Sequence, residues 1–88
     1  MTYEVKTTES FDRKFKKKHK DKKDRLETVI SKLEKYPDKY GKPLRGELHG
    51  IWQIRLGSNF RIWYEINEEE EEVVLKAVLH KKEAKRRY

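Results

Sequence analysis

The hydrophobic positions change period along the chain, and the change divides it in two. Tyr3 and Val5 alternate with Glu4 and Lys6, which predicts a short strand within 2–7. Thr8 or Ser10 can then cap a helix. Phe11 and Phe15 stand four apart and share one helix face, backed by Arg13, Lys14, Lys16, Lys17, Lys18 and Lys20. The apolar seam stops near Asp21, where a turn is expected. Leu26, Val29, Ile30 and Leu33 then fall at i, i+3, i+4 and i+7, the stripe of a second helix over about 22–36. Pro37 ends that helix, because the residue before a proline avoids the helical region. The two helices are expected to form an antiparallel hairpin with one apolar side.

Beyond Pro37 the period is two. Residues 40–47 read as a loop that carries Lys42 and Arg45. From Ile51 to Leu56, Trp52, Ile54 and Leu56 share one strand face, and Gln53 and Arg55 share the other. Gly57, Ser58 and Asn59 make a hairpin turn. In the next strand Phe60, Ile62, Tyr64 and Ile66 oppose Arg61, Trp63 and Glu65. Asn67 to Glu71 is a charged turn, and Val73 to His80 is nearly all apolar, as in a strand covered on both faces. Its parity is ambiguous: Val73, Leu75, Ala77 and Leu79 compete with Val74 and Val78 for the core, so Lys76 and His80 have no assigned face. Lys81 to Tyr88 reads as a basic tail. The order β-α-α-β-β-β predicts an α+β fold, a small antiparallel-rich sheet with the helical hairpin on one face. The other face is left for water or a ligand.

Composition narrows this picture. The 88 residues suit one domain over 1–88 with a small core. Charged residues are 44 % of the chain against a typical ~25 %. The absence of cysteine excludes disulfides, thiolate nucleophiles and thiolate metal sites. No apolar run nears the ~18–20 residues of a membrane span, and the N-terminus lacks a signal-peptide apolar region, so a cytoplasmic chain is expected. No glycine-rich phosphate loop is present, and His19, His49 and His80 lack metal-ligand spacing, so neither metal nor cofactor is expected. The net charge is +7, and all of it falls in residues 1–46, with 15 Lys and Arg against 8 acids. Five of the later acids form one block, Glu68 to Glu72. Such a field favours a polyanion, whether RNA, DNA or an acidic protein, although a merely solvated surface has the same composition.

Candidate chemistry therefore gathers on the face opposite the hairpin. Strand parity puts Gln53, Arg55, Arg61 and Trp63 there, with Lys42, Arg45 and His49 from the loop and Lys81, Lys82 and Tyr88 from the tail. Aromatics among cations suit RNA, whose unstacked bases rest on rings while cations hold phosphates. Trp52 and Trp63 as plain core residues fit the same spacing.

The block Leu44-Arg45-Gly46, the strands Ile51 to Gly57 and Asn59 to Ile66, and the ending Val78 to Glu83 with a final Tyr88 resemble the RelE branch of the RelE/ParE toxins, in its archaeal form. The resemblance spans nearly the whole chain. It implies a RelE-like fold and the toxin role of a type II toxin–antitoxin pair. It also implies a ribosome-dependent endonuclease that cuts mRNA in the A site, where the RNA's own 2′-OH attacks the adjacent phosphate. By the same resemblance Arg61 matches the strand arginine that contacts the phosphate, and Arg55 matches a position held by Lys or Arg. Lys81 matches the arginine after the last strand, with Lys82 one register away. Tyr88 matches a C-terminal tyrosine that stacks on the base or takes a proton. Gln53 stands where some members carry a second catalytic lysine. An arginine is a poor general base, so Tyr88 or His80 is expected to handle protons while Arg55, Arg61 and Lys81 stabilise charge. Lys42, Arg45, His49, Gln53, Trp63 and Lys82 are expected to bind the RNA. The implied partner is a small acidic RelB-like antitoxin. Two alternatives stay open: a ParE-like toxin that inhibits DNA gyrase, and a non-catalytic basic RNA-binding domain.

Overall fold

The computed structural model describes residues 2–86. The alternating opening forms strand β1 (Glu4–Thr7), and Thr8 then caps helix α1 (Glu9–Lys18), its hydroxyl accepting from the Phe11 N–H at 3.1 Å. Such a cap stabilises a helix by about 1 kcal/mol. A short 3₁₀ turn at Lys20–Lys22 leads into helix α2 (Lys23–Lys35). Pro37 ends α2 as expected, but it also opens a one-turn helix, α3 (Pro37–Tyr40), because a proline is tolerated in a first turn. The two-residue strand β2 (Lys42–Pro43) and a 3₁₀ turn at Gly46–Leu48 follow. Strands β3 (Trp52–Leu56), β4 (Phe60–Asn67) and β5 (Glu72–His80) come next, and the tail 81–86 is a helix, α4 (Lys81–Arg86).

The sheet runs β1-β5-β4-β3-β2. Its pairings are antiparallel except β1 with β5, which is parallel. The helical hairpin covers one face. Phe11 and Phe15 of α1 and Val29 and Leu33 of α2 pack on Ile54, Leu56, Ile62, Tyr64, Val73, Leu75 and Val78. Each such side chain contributes roughly 1.5–3 kcal/mol when fully buried.

The parity of β5 is resolved by a bulge. Trp63 opposes Ala77 while Tyr64 opposes Leu75, so Lys76 has no partner on β4. One extra residue flips the alternation. Val73 and Leu75 face the helices before the bulge, and Val78 faces them after it. Ala77 and Leu79 therefore point to the opposite face, and that face is not simply left open. Leu79, Trp63, Leu44 and Ala84 form a second small core, flanked by Leu48, Ile51 and Ala77. The 44–51 loop and α4 thus cover part of the surface that strand parity assigns to solvent.

The corner before β2 is tightly made. The buried Tyr64 hydroxyl donates to the Pro37 carbonyl at 2.6 Å. Gly41 has an ordinary extended φ of −105°, but a Cβ there would fall on that hydroxyl. Glycine is needed for close approach, not for its backbone freedom. Burial pushes the Tyr64 hydroxyl up from its ordinary pKa, with Asp38 adding to the shift, so the group stays a donor.

Candidate functional site

The uncovered part of the outer face is a cleft of about 800 Å³. Of its eleven lining residues seven are Lys or Arg, namely Lys32, Lys42, Arg55, Arg61, Lys81, Lys82 and Lys85, and none is acidic. Among the described residues the salt bridges join other groups, so no carboxylate lies within 4.0 Å of these seven cations. The lining takes Gln53, Arg55 and Arg61 from the outer face, and Ile54 with Lys32 and Tyr40 from the helix side. The cleft therefore runs over the edge of β3, where the short β2 has ended.

Strand register builds its floor. Arg55 stands directly opposite Arg61. Two like charges placed so repel each other, and the fold accepts that cost without a counter-charge. An anion between them removes the repulsion. In the neighbouring row Lys42 opposes Gln53, and Gln53 opposes Trp63.

The turn between β3 and β4 holds one cation by its side chain and another by its backbone. The Arg61 guanidinium donates to the Phe60 carbonyl at 2.8 Å and to the Ser58 carbonyl at 3.5 Å. The Lys81 N–H donates to the Asn59 carbonyl at 2.7 Å, which starts α4 beside the same turn. Gly57 opens this turn with φ +69°, a region that favours glycine.

The ParE toxin model of type II toxin–antitoxin systems matches residues 5–85. The chain belongs to the ParE toxin family. It is a toxin-family protein of the wider RelE/ParE superfamily. It is 29 % identical to a chain of the toxin–antitoxin complex RelBE2 from Mycobacterium tuberculosis, with a TM-score of 0.72 over 92 % of this chain and all of that one. The archaeal RelE–RelB complex from Pyrococcus horikoshii contains a chain of like fold, with TM-score 0.70 at 22 % identity, covering 91 % of this chain and 96 % of that one. A doubly substituted mutant of E. coli RelE in the free state superposes with TM-score 0.77 at 23 % identity, over 98 % of this chain and 90 % of the other. No curated protein matches the chain.

Within this toxin-family fold Arg55, Arg61, Lys81, Lys82, Lys42 and Gln53 come together in one cleft. Four other candidates do not join them. Trp63 is only 6 % exposed, closed over by Leu44 and Ala84, so its ring offers no face for a base to stack on. Its indole N–H donates to the Gln53 side-chain oxygen at 2.9 Å, which gives Gln53 a structural task that a lysine, lacking an acceptor, does not perform. His80 stands opposite Phe60 on the helix side of the sheet, its ring edge-on to that phenyl at 5.4 Å. Its Nδ1 accepts from the Lys82 N–H at 3.2 Å, and it does not line the cleft. The bulge at Lys76, invisible to simple alternation, settles its side. Arg45 and His49 are exposed on the covering loop, away from the cleft lining. Tyr88 lies outside the described residues.

Three polar lining residues are absent from the sequence-based candidates: Lys32, Tyr40 and Lys85. Lys32 flanks the apolar stripe of α2 just before Leu33, and its cleft position depends on where the β3 edge lies, which the helix period does not encode. Among the described residues no group of three or more His, Asp or Glu side chains is placed to hold a metal.

Proposed function

We propose that this chain is the toxin of a type II toxin–antitoxin pair and that it cuts mRNA on the ribosome. The observation that carries this reading is the Arg55–Arg61 pair, two directly opposed cations without a carboxylate among the described residues, in a cleft whose other charges are all lysines. A phosphodiester under attack by its neighbouring 2′-OH gains negative charge on its non-bridging oxygens. Arg55 and Arg61 would hold those oxygens, and Lys81 at the start of α4 would neutralise charge that develops toward the leaving 5′-oxygen. Preorganised cations of this kind need no reorganisation during the reaction, and loss of one typically costs ~10²–10³ in rate. Tyr88 remains the proposed proton acceptor or base-stacking group, and its resemblance-derived role is tested by Tyr88→Phe in the same assay.

The solved complexes of RelE with RelB support an antitoxin for this chain too. An acidic antitoxin and mRNA would compete for the same basic field. The family model favours a second reading, a gyrase poison, because the matching family is that of ParE.

Primer extension on one mRNA, bare and on translating ribosomes, tests the proposal with wild type and Arg61→Ala. Cuts within the A-site codon that need ribosomes and disappear in the variant are expected. Undiminished cutting by Arg61→Ala would overturn the site. Absence of cutting by wild type, together with inhibition of gyrase supercoiling, would establish the second reading.

A further inference from the structure

The cleft continues onto a second, shallower groove of about 360 Å³, lined by Thr28, Ser31, Lys32, Lys35, Tyr36 and Tyr40. Lys32 and Tyr40 line both, so the two form one path around the edge of β3. Tyr36 and Tyr40 are 50 % and 47 % exposed, the large apolar side chains most open to solvent among the described residues. Folding does not account for that exposure, since neither ring packs into a core cluster. The rings lie 6.2 Å apart, and each has an ammonium over it: Lys39 Nζ is 5.3 Å from the Tyr36 ring centre and Lys32 Nζ is 5.4 Å from that of Tyr40. Asp38 lies between them in sequence, but no salt bridge ties it to either lysine.

Two exposed rings interleaved with ammonium groups have the chemistry of a single-strand stacking site, in which bases lie on rings and cations take the phosphates between them. An acidic protein segment would use the lysines but has no comparable use for two exposed ring faces. We infer that Tyr36 and Tyr40 form a base-stacking subsite for single-stranded RNA, which takes nucleotides flanking the phosphate held at Arg55 and Arg61. The inference rests on the proposed RNA chemistry of the main cleft for its substrate. It assigns a role to two side chains that the reaction itself does not use, and it lets the toxin grip the message through several nucleotides. Trp63, the ring that strand parity offers for stacking, is buried, so the platform sits at the two ends of α3 instead, on its N-cap Tyr36 and its last residue Tyr40.

The test is fluorescence anisotropy of a fluorescein-labelled, 2′-O-methylated single-stranded RNA, which binds without being cut. Wild type is compared with Tyr36→Ala/Tyr40→Ala, Tyr36→Trp/Tyr40→Trp and Tyr36→Leu/Tyr40→Leu, with melting temperatures checked in parallel. The alanine pair should weaken binding by about tenfold or more, the scale of one lost stacked base. Tryptophan should restore it, and leucine, apolar but without a π face, should not. Equal affinity for wild type and the alanine pair overturns the inference, as does leucine binding as well as tyrosine. Unchanged RNA affinity with weakened binding of an acidic antitoxin peptide would overturn it in favour of a protein-binding role. Because this assay requires no cleavage, its outcome is separate from that of primer extension, where failure of wild type to cut would strike the nuclease proposal instead.

Discussion

Alanine at position 41 sets a methyl group against the hydroxyl of Tyr64. The alanine Cβ falls on that oxygen, 2.9 Å from the Cζ carbon behind it and 3.0 Å from the Gln53 carbonyl. Tyr64 is fully buried and cannot swing out to solvent. Overpacking of this sort costs about 1–3 kcal/mol. If the hydroxyl is pushed off the Pro37 carbonyl, a buried acceptor is left unpaired at a further cost of roughly 1–3 kcal/mol. With both terms, Gly41→Ala should therefore lose about 2–6 kcal/mol. Tyr64→Phe alone loses the hydrogen bond and should cost about 1–3 kcal/mol. In the double variant the methyl takes space the hydroxyl has left, so alanine should be cheaper on the phenylalanine background by about 1–2 kcal/mol. Urea unfolding followed by Trp52 and Trp63 fluorescence measures the cycle. For a domain of this size each 1 kcal/mol also moves Tm by about 4–8 °C. Additivity within ~0.5 kcal/mol would show that the two groups do not share one volume, and the corner that presents Tyr40 and Lys42 to the cleft would be wrongly described.

Gln53→Lys adds a cation to the cleft but strips the Trp63 indole of its acceptor, so thermal unfolding should show a loss of about 1–3 kcal/mol. Arg55→Gln removes one of two opposed positive charges, so Tm should hold or rise while A-site cutting falls by ~10² or more; a parallel fall in both would refute the charge argument. His19 is buried between Phe15 and Phe60 with its Nδ1 unpaired, and burial, then Lys22 and Lys14, lowers its pKa below the ordinary 6.5. The unfolded chain thus binds a proton first as pH falls, so stability is full above about pH 7 and declines below it; His19→Leu should flatten the decline of Tm between about pH 7.5 and pH 5. Gly57→Ala and Gly46→Ala both place alanine at positive φ, +69° and +68°, at a strain of about 1–2 kcal/mol each. Only Gly57 opens the turn whose Ser58 and Phe60 carbonyls hold Arg61, so cutting should fall in Gly57→Ala and persist in Gly46→Ala.

The helical hairpin and the β3–β4 strands were legible because each has one apolar face, and a single period describes it. The opposed Arg55 and Arg61 follow from that same alternation with a short turn between them. Other features depend on contacts that period does not carry. The bulge at Lys76 is one unpaired residue in an apolar run, and nothing in Val73 to His80 marks where the alternation slips. Among the described side chains of helix α4 only Ala84 is buried, set between charged residues, too thin a stripe to announce a helix. The β1–β5 pairing joins residues almost seventy positions apart, as Glu4 with Glu72 and Val5 with Val73. Trp63 was rightly given to the outer face, but which residues cover that face depends on where the 44–51 loop returns, and Leu44, Leu48 and Ile51 bring it back over the ring.

That cover changes what the basic face can be. A small chain with 44 % charged residues has little apolar material to spend on two faces, yet part of it goes to the second core. The consequence is a site with rigid borders. Trp63 anchors Gln53 beside the opposed arginines, and Ala84 holds α4 against the same small core. The β3–β4 turn closes the end by accepting from Arg61 and from the first N–H of α4. Arg61 is then oriented by backbone carbonyls, which substitution cannot remove, and not by a carboxylate, which would neutralise it. A cation held this way keeps its full charge for an incoming phosphate and has its direction set before the phosphate arrives. The ordering entropy that a free arginine would lose on binding is thus already lost in folding. The same argument separates Arg61 from Arg55, which is exposed and has no such tether among the described residues. Arg61 is the group built for a fixed position, and Arg55 the one left to adapt to what the cleft receives.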